Sequence, residues 1–560
     1  MINSTFGGFM TARLGMSASQ QALNITGQNV SNINTPGYTR QYIDQVSLNV
    51  GGGSNRYASG MANIGNGVWV TGTGQVRDPF LDRRFRNEIS FVGQYDIKTS
   101  GLQNVQDILD ETGKTDGGGG IHNQLADFRK QLNELSKNPN AVEHDSMVRG
   151  SADSLVKLLN SYSQQLDKVR KDAETDLKDV DIPAVNNILK NIAELNKSIK
   201  SAEVCGDSAL ELKDQRNMLI DELASYMPIE VKYKPITVTD GRKVDELTIN
   251  FVTGDGKELP LLIDEYPGSL GVEKDQATGN WSLKYTGPDG LGGMKPFPID
   301  ITNSLSTGSL KSSLEHLNAK GEFDNPPTTT KGIGYYENML DVLARDFATT
   351  MNDMNKVPVV DADGNPVMDP NSPQEPLMKE FPLFTQKDPN KPFSADNIQI
   401  AEGWTKKEYG VIKNNDAKWQ LQKGAATNPP TQADMDKGSL INNDKGASNI
   451  LDMIAEMDKS RPFTTQGAGQ GEGLFTGTFE EFYSNMVMTL GQDIKSTTEI
   501  LNNHVTMAGQ INGSRDNLSA VSMDEEGINM MRFSKSYAAS ARMMTTLDEI
   551  LDTLINRMGV

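Results

Sequence analysis

The sequence predicts a mainly α-helical, elongated, multidomain chain with β-rich insertions in its middle and its N- and C-terminal helices paired in a coiled coil at one end. Three observations carry this expectation. Apolar residues recur in heptads at both ends, the pattern changes to β-branched alternation in two central stretches, and 560 residues are more than one core can organise. The length suggests about three to four domains.

At the N-terminus Ile2, Phe9, Met16, Leu23 and Val30 stand seven residues apart, with the small or hydroxylated Thr5, Ala12, Ser19 and Thr26 three places after the first four. Glycines 7, 8, 15 and 27 interrupt this narrow seam, each costing roughly 1 kcal/mol relative to alanine in a helix. The segment therefore needs a partner. The C-terminus supplies a candidate, because its a and d positions read Met530, Phe533, Tyr537, Ser540, Met544, Leu547, Leu551, Leu554 and Met558. Residues 1–35 and 518–560 are expected to form one terminal assembly domain.

Further heptad series, Val148 to Val169 and Val185 to Ile199, predict long helices that bundle, with a break at "DIP". A small β element is expected near residues 38–76. From Pro228 the chain alternates β-branched residues between DG and GDG turns, predicting a β-rich outer domain at 228–307. Helical pattern returns at 308–356, a second β-rich or irregular insertion is expected at 357–445, and helices resume to the end. Segments 36–227, 308–356 and 446–517 are thus expected to share a helical-bundle domain.

Acidic residues outnumber basic ones by 74 to 54, giving a net charge of -20 that repels phosphate backbones and argues against nucleic acid as a partner. Residues 1–43 nevertheless contain no Asp, Glu or Lys, only Arg13 and Arg40. No run approaches the ~18 apolar residues of a membrane span, and the N-terminus lacks the basic and apolar regions of a secretory signal. One cysteine, Cys205, and four scattered histidines point to neither a disulfide nor a zinc site. "GAGQGEG" (467–473) lacks the Lys-Ser/Thr of a phosphate loop. "DADGN" (361–365) reads as a hairpin turn, since no glutamate follows at the twelfth position of a calcium loop. Asp524, Glu525 and Glu526 read as acids favoured at a helix start by the macrodipole. No catalytic, cofactor or metal residues are identified, and an enzyme is not expected.

The segment "SNINTPGYTRQ", built around Asn34, Thr35, Pro36, Gly37 and Tyr38 with Pro36 and Gly37 central in a type II turn, resembles the N-terminal signature of flagellar rod, hook and hook-associated proteins. "NLSAVSMDEEGINMMRFSKSYAASARMMTTLDEILDTLINRM" resembles that family's C-terminal helix, with FSKSY at Phe533–Tyr537 where relatives commonly have Tyr-Gln-x-Ala-Tyr. "LELKDQRNMLIDELASYMPIEV" and "FSADNIQIAEGW" narrow the resemblance to the hook-associated branch. It covers roughly residues 1–230, 308–356 and 446–560.

The resemblance implies an extracellular structural protein at the hook-filament junction, exported unfolded through the flagellar export apparatus without a cleavable signal peptide. Its implied partners are further copies of itself in a helical or ring array, the hook protein, the second junction protein, and a cytoplasmic export chaperone on the C-terminal seam. Membrane insertion is not implied. The alternatives are another axial flagellar protein (second junction protein, hook protein or flagellin) and a secreted adhesin on a helical stalk.

Overall fold

The computed structural model describes residues 5–48, 67–109, 120–237, 243–289, 293–370, 372, 374–422, 430–466 and 471–557. Ile2 and Met558 lie outside the described residues, as do positions 467–470 of the glycine-rich segment. The protein is mainly helical with several small sheets. Helix α1 (Thr5–Ser31) leads into a hairpin of β1 (Gln41–Ser47) and β2 (Val68–Gln75), after which α2 (Pro79–Leu109), α3 (Ile121–Lys137) and α4 (Val142–Thr175) follow.

The "DIP" break expected after α4 does not occur. Backbone torsions stay right-handed helical from α4 through a π-helical turn at Asp176–Asp181 into α5 (Ile182–Cys205). Pro183 falls at the first turn of α5, where the wider turn accommodates a residue without an N–H. The extra residue per turn also rotates the apolar stripe, so the two halves face different cores. Val148, Ala152, Leu155, Leu159, Tyr162 and Leu166 of α4 pack with α3, with α8 (Ile333–Met354) and with the first turns of α12 (Phe479–Ser519). Val185, Ile188 and Ile192 of α5 instead pack with α6 (Leu210–Tyr226), α7 (Ser309–Asn318) and a β-sheet. The helices expected to form one bundle are thus divided between two cores.

The second core includes the antiparallel sheet β3 (Ile229–Thr237), β4 (Lys243–Val252), β5 (Glu258–Ile263) and β6 (Tyr266–Pro267), and the sheet β7 (Ser269–Lys274), β8 (Trp281–Thr286) and β9 (Ile299–Asp300). Beyond α8 lie β10 (Lys356–Val360), β11 (Met378–Glu380), β12 (Phe384–Gln386), β13 (Ile398–Ile400), α9 (Glu402–Thr405), β14 (Lys418–Gln420), α10 (Gln432–Asp436) and β15 (Ser439–Ile441). Strands β11, β10, β14 and β15 form a four-stranded sheet over a small separate core of Val357, Phe381, Ile412 and Ala417. "FSADNIQIAEGW" folds inward, placing Ala395, Ile398, Ala401 and Trp404 in the first core. Asp361 sits in a tight turn, its carboxylate accepting the N–H groups of Asp363 and Asn365.

Helix α11 (Ser448–Met457) and the hairpin β16 (Arg461–Thr464) and β17 (Gly473–Gly477) precede α12, which a Thr478/Glu481 capping box starts. Antiparallel to it runs α2: Tyr483 donates to the Leu109 carbonyl at one end, His504 stacks on Phe91 midway, and Arg515 covers Phe85 at the other. Helix α13 (Met523–Asp552) then returns alongside α1. Among the described residues no helix is long and apolar enough to cross a membrane.

One core carboxylate makes stability depend on pH. Burial pushes Asp341 up to about 6, with Glu337 and Asp396 adding to the effect and the Ala395 N–H opposing it at 2.8 Å. A native pKa above the unfolded 3.8 means that the native state holds the proton longer. Asp341 therefore subtracts stability progressively as pH rises from about 4 to about 6, by at most about 3 kcal/mol. Asp341→Asn keeps the acceptor for Ala395 and removes the charge, so the variant's advantage over the wild type should grow through that window and level off above it. Urea unfolding from pH 4 to 7.5 reads this difference, and a constant offset would rule the mechanism out. His316, pushed down to about 4 by burial and then by Arg170, contributes the opposite slope in both proteins and cancels.

Candidate assembly joint

The turn that ends α1 is the first element of the site. Thr35 N–H closes on the Asn32 carbonyl, and Tyr38 N–H on the Thr35 carbonyl at 3.2 Å, with Pro36 and Gly37 between them. Gly37 has φ +74, the left-handed value that the third residue of a type II turn requires. A Cβ there would lie 2.3 Å from the Met218 sulfur, so glycine also lets α6 approach. Asn34, Thr35, Pro36 and Gly37 are exposed and Tyr38 is half-buried.

From this turn the next four residues reach in two directions. Thr39 binds Asp214 of α6 through both its N–H (2.9 Å) and its hydroxyl (2.8 Å). Gln41 and Gln28 both donate to Glu211. On the other side Arg40 holds the first turn of α13, its Nε 2.9 Å from Glu526 and its Nη1 2.6 Å from Glu525. Asn29 of α1 completes the clasp, donating to the Gln41 carbonyl and to Glu526 and accepting from Tyr38 Oη and Gln41 N–H. Glu526 is 2% exposed. Burial, followed by the fields of Glu211, Asp214 and Glu526, raises the Tyr38 phenol well above its ordinary range, so it stays a neutral donor.

The acids at 524–526 were expected only to favour a helix start. Two of them instead hold Arg40, one of two charges in the first 43 residues.

Behind the clasp, three arginines and three aspartates alternate. Asp214 meets Arg77 (3.4 Å), Arg77 meets Asp82 (2.6 Å), Asp82 meets Arg515 (3.0 Å), Arg515 meets Asp221 (2.8 Å) and Asp221 meets Arg86 (2.7 Å). Charge balances along the ladder, so partly buried ions keep partners on either side. Burial works against the Arg77 charge, but the hydrogen bond and field of Asp82 outweigh it and raise its pKa. Asp214 is raised by burial, with Thr39 and Arg77 opposing. All of the ladder but Arg86 lines a cleft of about 610 Å³ together with the turn residues 32–39 and the α12–α13 linker. Chemically the arrangement is a clamp: it ties the ends of α1, α12 and α13 to α2 and α6.

Beyond the clasp, α1 and α13 run antiparallel. Ser19 Oγ lies 3.1 Å from Ser536 Oγ, a Cβ on Gly8 would be 3.0 Å from Leu547, and a Cβ on Gly15 would be 3.0 Å from Ser540. Numbers rise along one helix as they fall along the other. With Phe9 and Met530 as a positions, these contacts set g against d: small Gly8, Gly15, Ala22 and Asn29 with Ala12, Ser19 and Thr26 on α1. Phe9, Met16, Leu23 and Val30 are half-buried beside this contact. On α13, Phe533, Met544, Leu547 and Leu551 are half-buried, whereas Met530 and Tyr537 are exposed. The Leu554 side chain lies outside the described residues.

Three family models match the chain. "Flagella basal body rod protein" covers residues 9–39, "Flagellar hook-associated protein FlgK helical domain" covers 102–369, and "Flagellar basal body rod FlgEFG protein C-terminal" covers 515–558. The first ends on Thr39 and the last begins on Arg515, both members of the clamp. These matches define the class, the flagellar rod, hook and hook-associated proteins. Within it the chain is similar over its full length to flagellar hook-associated protein 1. The protein of that name from Bacillus subtilis is 27% identical, with 100% of this chain and 99% of that one covered. The Escherichia coli protein is 24% identical, with 97% and 98% covered. In fold the chain is similar to the flagellar hook junction protein FlgK from Burkholderia pseudomallei, with a TM-score of 0.52 at 12% identity over 79% of this chain and all of that one.

Proposed function

We propose that the protein is a non-catalytic axial component of the bacterial flagellum that joins hook to filament, polymerising in a helical or ring array through terminal helices paired as a coiled coil. The observation that carries this reading is the clamp. A helix pair meant to transmit load between polymers must be fixed in angle to the body behind it, and Arg40 with Thr39 ties the pair to α6 at its root. Residues 1–35 and 518–560 then serve as the assembly domain, with the helical body next and the β-rich regions 228–307 and 357–445 outside it.

The shortage of charge in residues 1–43 fits a crowded wall between subunits, where an unpaired ion is costly to desolvate. Its partners under this reading are the hook protein on one side and the second junction protein on the other. Export under this reading proceeds through the flagellar apparatus. Deleting the gene should leave cells with hooks that bear no filaments and with filament subunits in the medium. Normal filaments on the deletion strain would defeat the proposal.

A cytoplasmic chaperone is expected to cover the apolar C-terminal positions Met544, Leu547, Leu551 and Leu554, because an uncovered helix of this kind associates prematurely. Removing residues 520–560 should abolish chaperone binding in pull-down while leaving some secretion through the N-terminus. Undiminished binding would place the chaperone site elsewhere.

A further inference from the structure

The segment "LELKDQRNMLIDELASYMPIEV" runs through α6 into β3, and several of its charges are matched: Lys213 by Glu203 at 2.6 Å, Asp214 by Arg77, and Asp221 by Arg86 and Arg515. Arg216 is an exception. It is 5% exposed, yet among the described residues it has no carboxylate partner: Nη1 donates to the neutral Asn196 Oδ1 at 2.9 Å, and Nε has no partner. A guanidinium carries five donors and a charge it does not release, so burying it without an anion is costly. Arg216 lines a cleft of about 680 Å³ between α2, α5, α6 and β3. Six arginine or lysine side chains line this cleft against four acids, the reverse of the balance in the whole chain, whose net charge is -20. Two further features of the cleft bear on what it holds. The ring of Tyr233, 45% exposed, lies 5.5 Å from the Arg216 guanidinium carbon and forms a flat wall beside the charge. Glu203, whose Oε1 holds Lys213, keeps Oε2 without a partner.

We infer that this cleft binds a small organic oxyanion that also carries a hydroxyl group. Its carboxylate or phosphate takes the fork of Arg216, its carbon body packs on Tyr233, and its hydroxyl donates to the free oxygen of Glu203. Lys213 already balances the Glu203 charge, so that carboxylate does not cancel Arg216. The planar fork suits both kinds of oxyanion, and the volume exceeds what a bare ion needs. The site uses no part of the terminal helices and holds whether or not the chain polymerises. Occupancy would nevertheless brace the body behind the clasp, because Arg216 lies between Asp214, which holds Thr39, and Asn217, which accepts from Arg86. Its measurable effect on the protein is stabilisation by mass action.

The test titrates the full-length chain by calorimetry at fixed ionic strength with L-malate, with succinate, which lacks the hydroxyl, and with ribose 5-phosphate. Malate or ribose 5-phosphate should bind at a single site, and the tighter of the two identifies the source as carboxylate or phosphate. Succinate should bind about tenfold or more weakly than malate, because it leaves the Glu203 oxygen unpaired. Arg216→Gln should weaken binding about tenfold or more. Lys232→Gln, in the same cleft, should change it little, since that lysine already holds Glu258 at 2.6 Å. Tyr233→Trp keeps both the ring and Arg216, and its fluorescence should change saturably with the probe, a reading that does not depend on how well the Arg216→Gln protein folds. No saturable binding of either hydroxylated probe at millimolar concentration, or equal binding by Arg216→Gln, would overturn the site. Succinate binding as tightly as malate would overturn the ligand class. If Arg216→Gln lowers the urea midpoint by the same amount with and without saturating probe, the arginine serves packing alone and the proposal fails.

Discussion

Arg40→Met should release the terminal helix pair from the body without unfolding the body. Arg40 is the cation that holds Glu525 and Glu526, and Glu526 is 2% exposed, so the methionine leaves a buried carboxylate with Asn29 and Asn529 as its remaining side-chain partners. Stranding such a charge costs about 3–5 kcal/mol when both partners are buried. The lower end applies here, because a quarter of the arginine side chain still meets solvent. The loss is local, since Thr39 and the arginine ladder hold the body through separate bonds. Amide exchange along α13 should accelerate about a hundredfold at about 3 kcal/mol, with exchange in α4 and α8 unchanged. Adding Glu526→Gln should restore most of the protection, because an amide oxygen still accepts from Asn29 and no longer needs a cation. Unaltered exchange in α13 would mean that the clasp does not hold the pair.

What could be read from the sequence depended on how far apart the interacting residues lie. The turn at Pro36-Gly37 was legible because its geometry is local: a dipeptide sets φ at both central positions. The terminal heptads were legible as helices for the same reason. Which face each helix would turn inward was not, because a heptad offers two adjacent pairs of stripes. Reading a and d weights large side chains, whereas the closeness of α1 to α13 is won by Gly8, Gly15 and Ala22, whose small size permits it.

The clasp itself joins residues almost five hundred positions apart, beyond any periodicity. One signal could have found it. Arg40, the only charged side chain between Arg13 and Asp44, set against the acid run Asp524–Glu526 in the C-terminal segment, is an ion pair waiting for a topology. The split of the expected bundle into two cores was hidden for another reason. Proline in "DIP" reads as a helix break, but in the first turn of α5, directly after a π-helical turn, its missing N–H costs little, and the rotation of the apolar stripe redirects α5 towards the sheet.

Phe347→Ala should produce the complementary result, a weakened body with the clasp intact. The ring of Phe347 is 1% exposed and meets three others edge-on: Phe384 at 5.3 Å, and Phe128 and Phe479 at 5.5 Å each. These neighbours come from α3, from the strand β12 inside the second insertion, and from the start of α12, so the ring ties three distant segments into one core. Truncation of a buried phenylalanine costs about 3–5 kcal/mol, from lost transfer energy and from a cavity that the surroundings fill only in part. Helix α8 cannot move inwards to close it, because Asn352 of the same helix is fixed by hydrogen bonds to the backbone of Leu383 and Phe384. The main urea transition should therefore shift by close to the full amount, and Phe347→Leu, which keeps most of the volume, should lose much less. Exchange along α13 should stay at its wild-type rate wherever the body remains folded, since no bond of the clasp passes through this core. A Phe347→Ala protein that loses protection in α13 before its body unfolds would show that the angle of the terminal pair is set by the core and not by the ladder of arginines and aspartates.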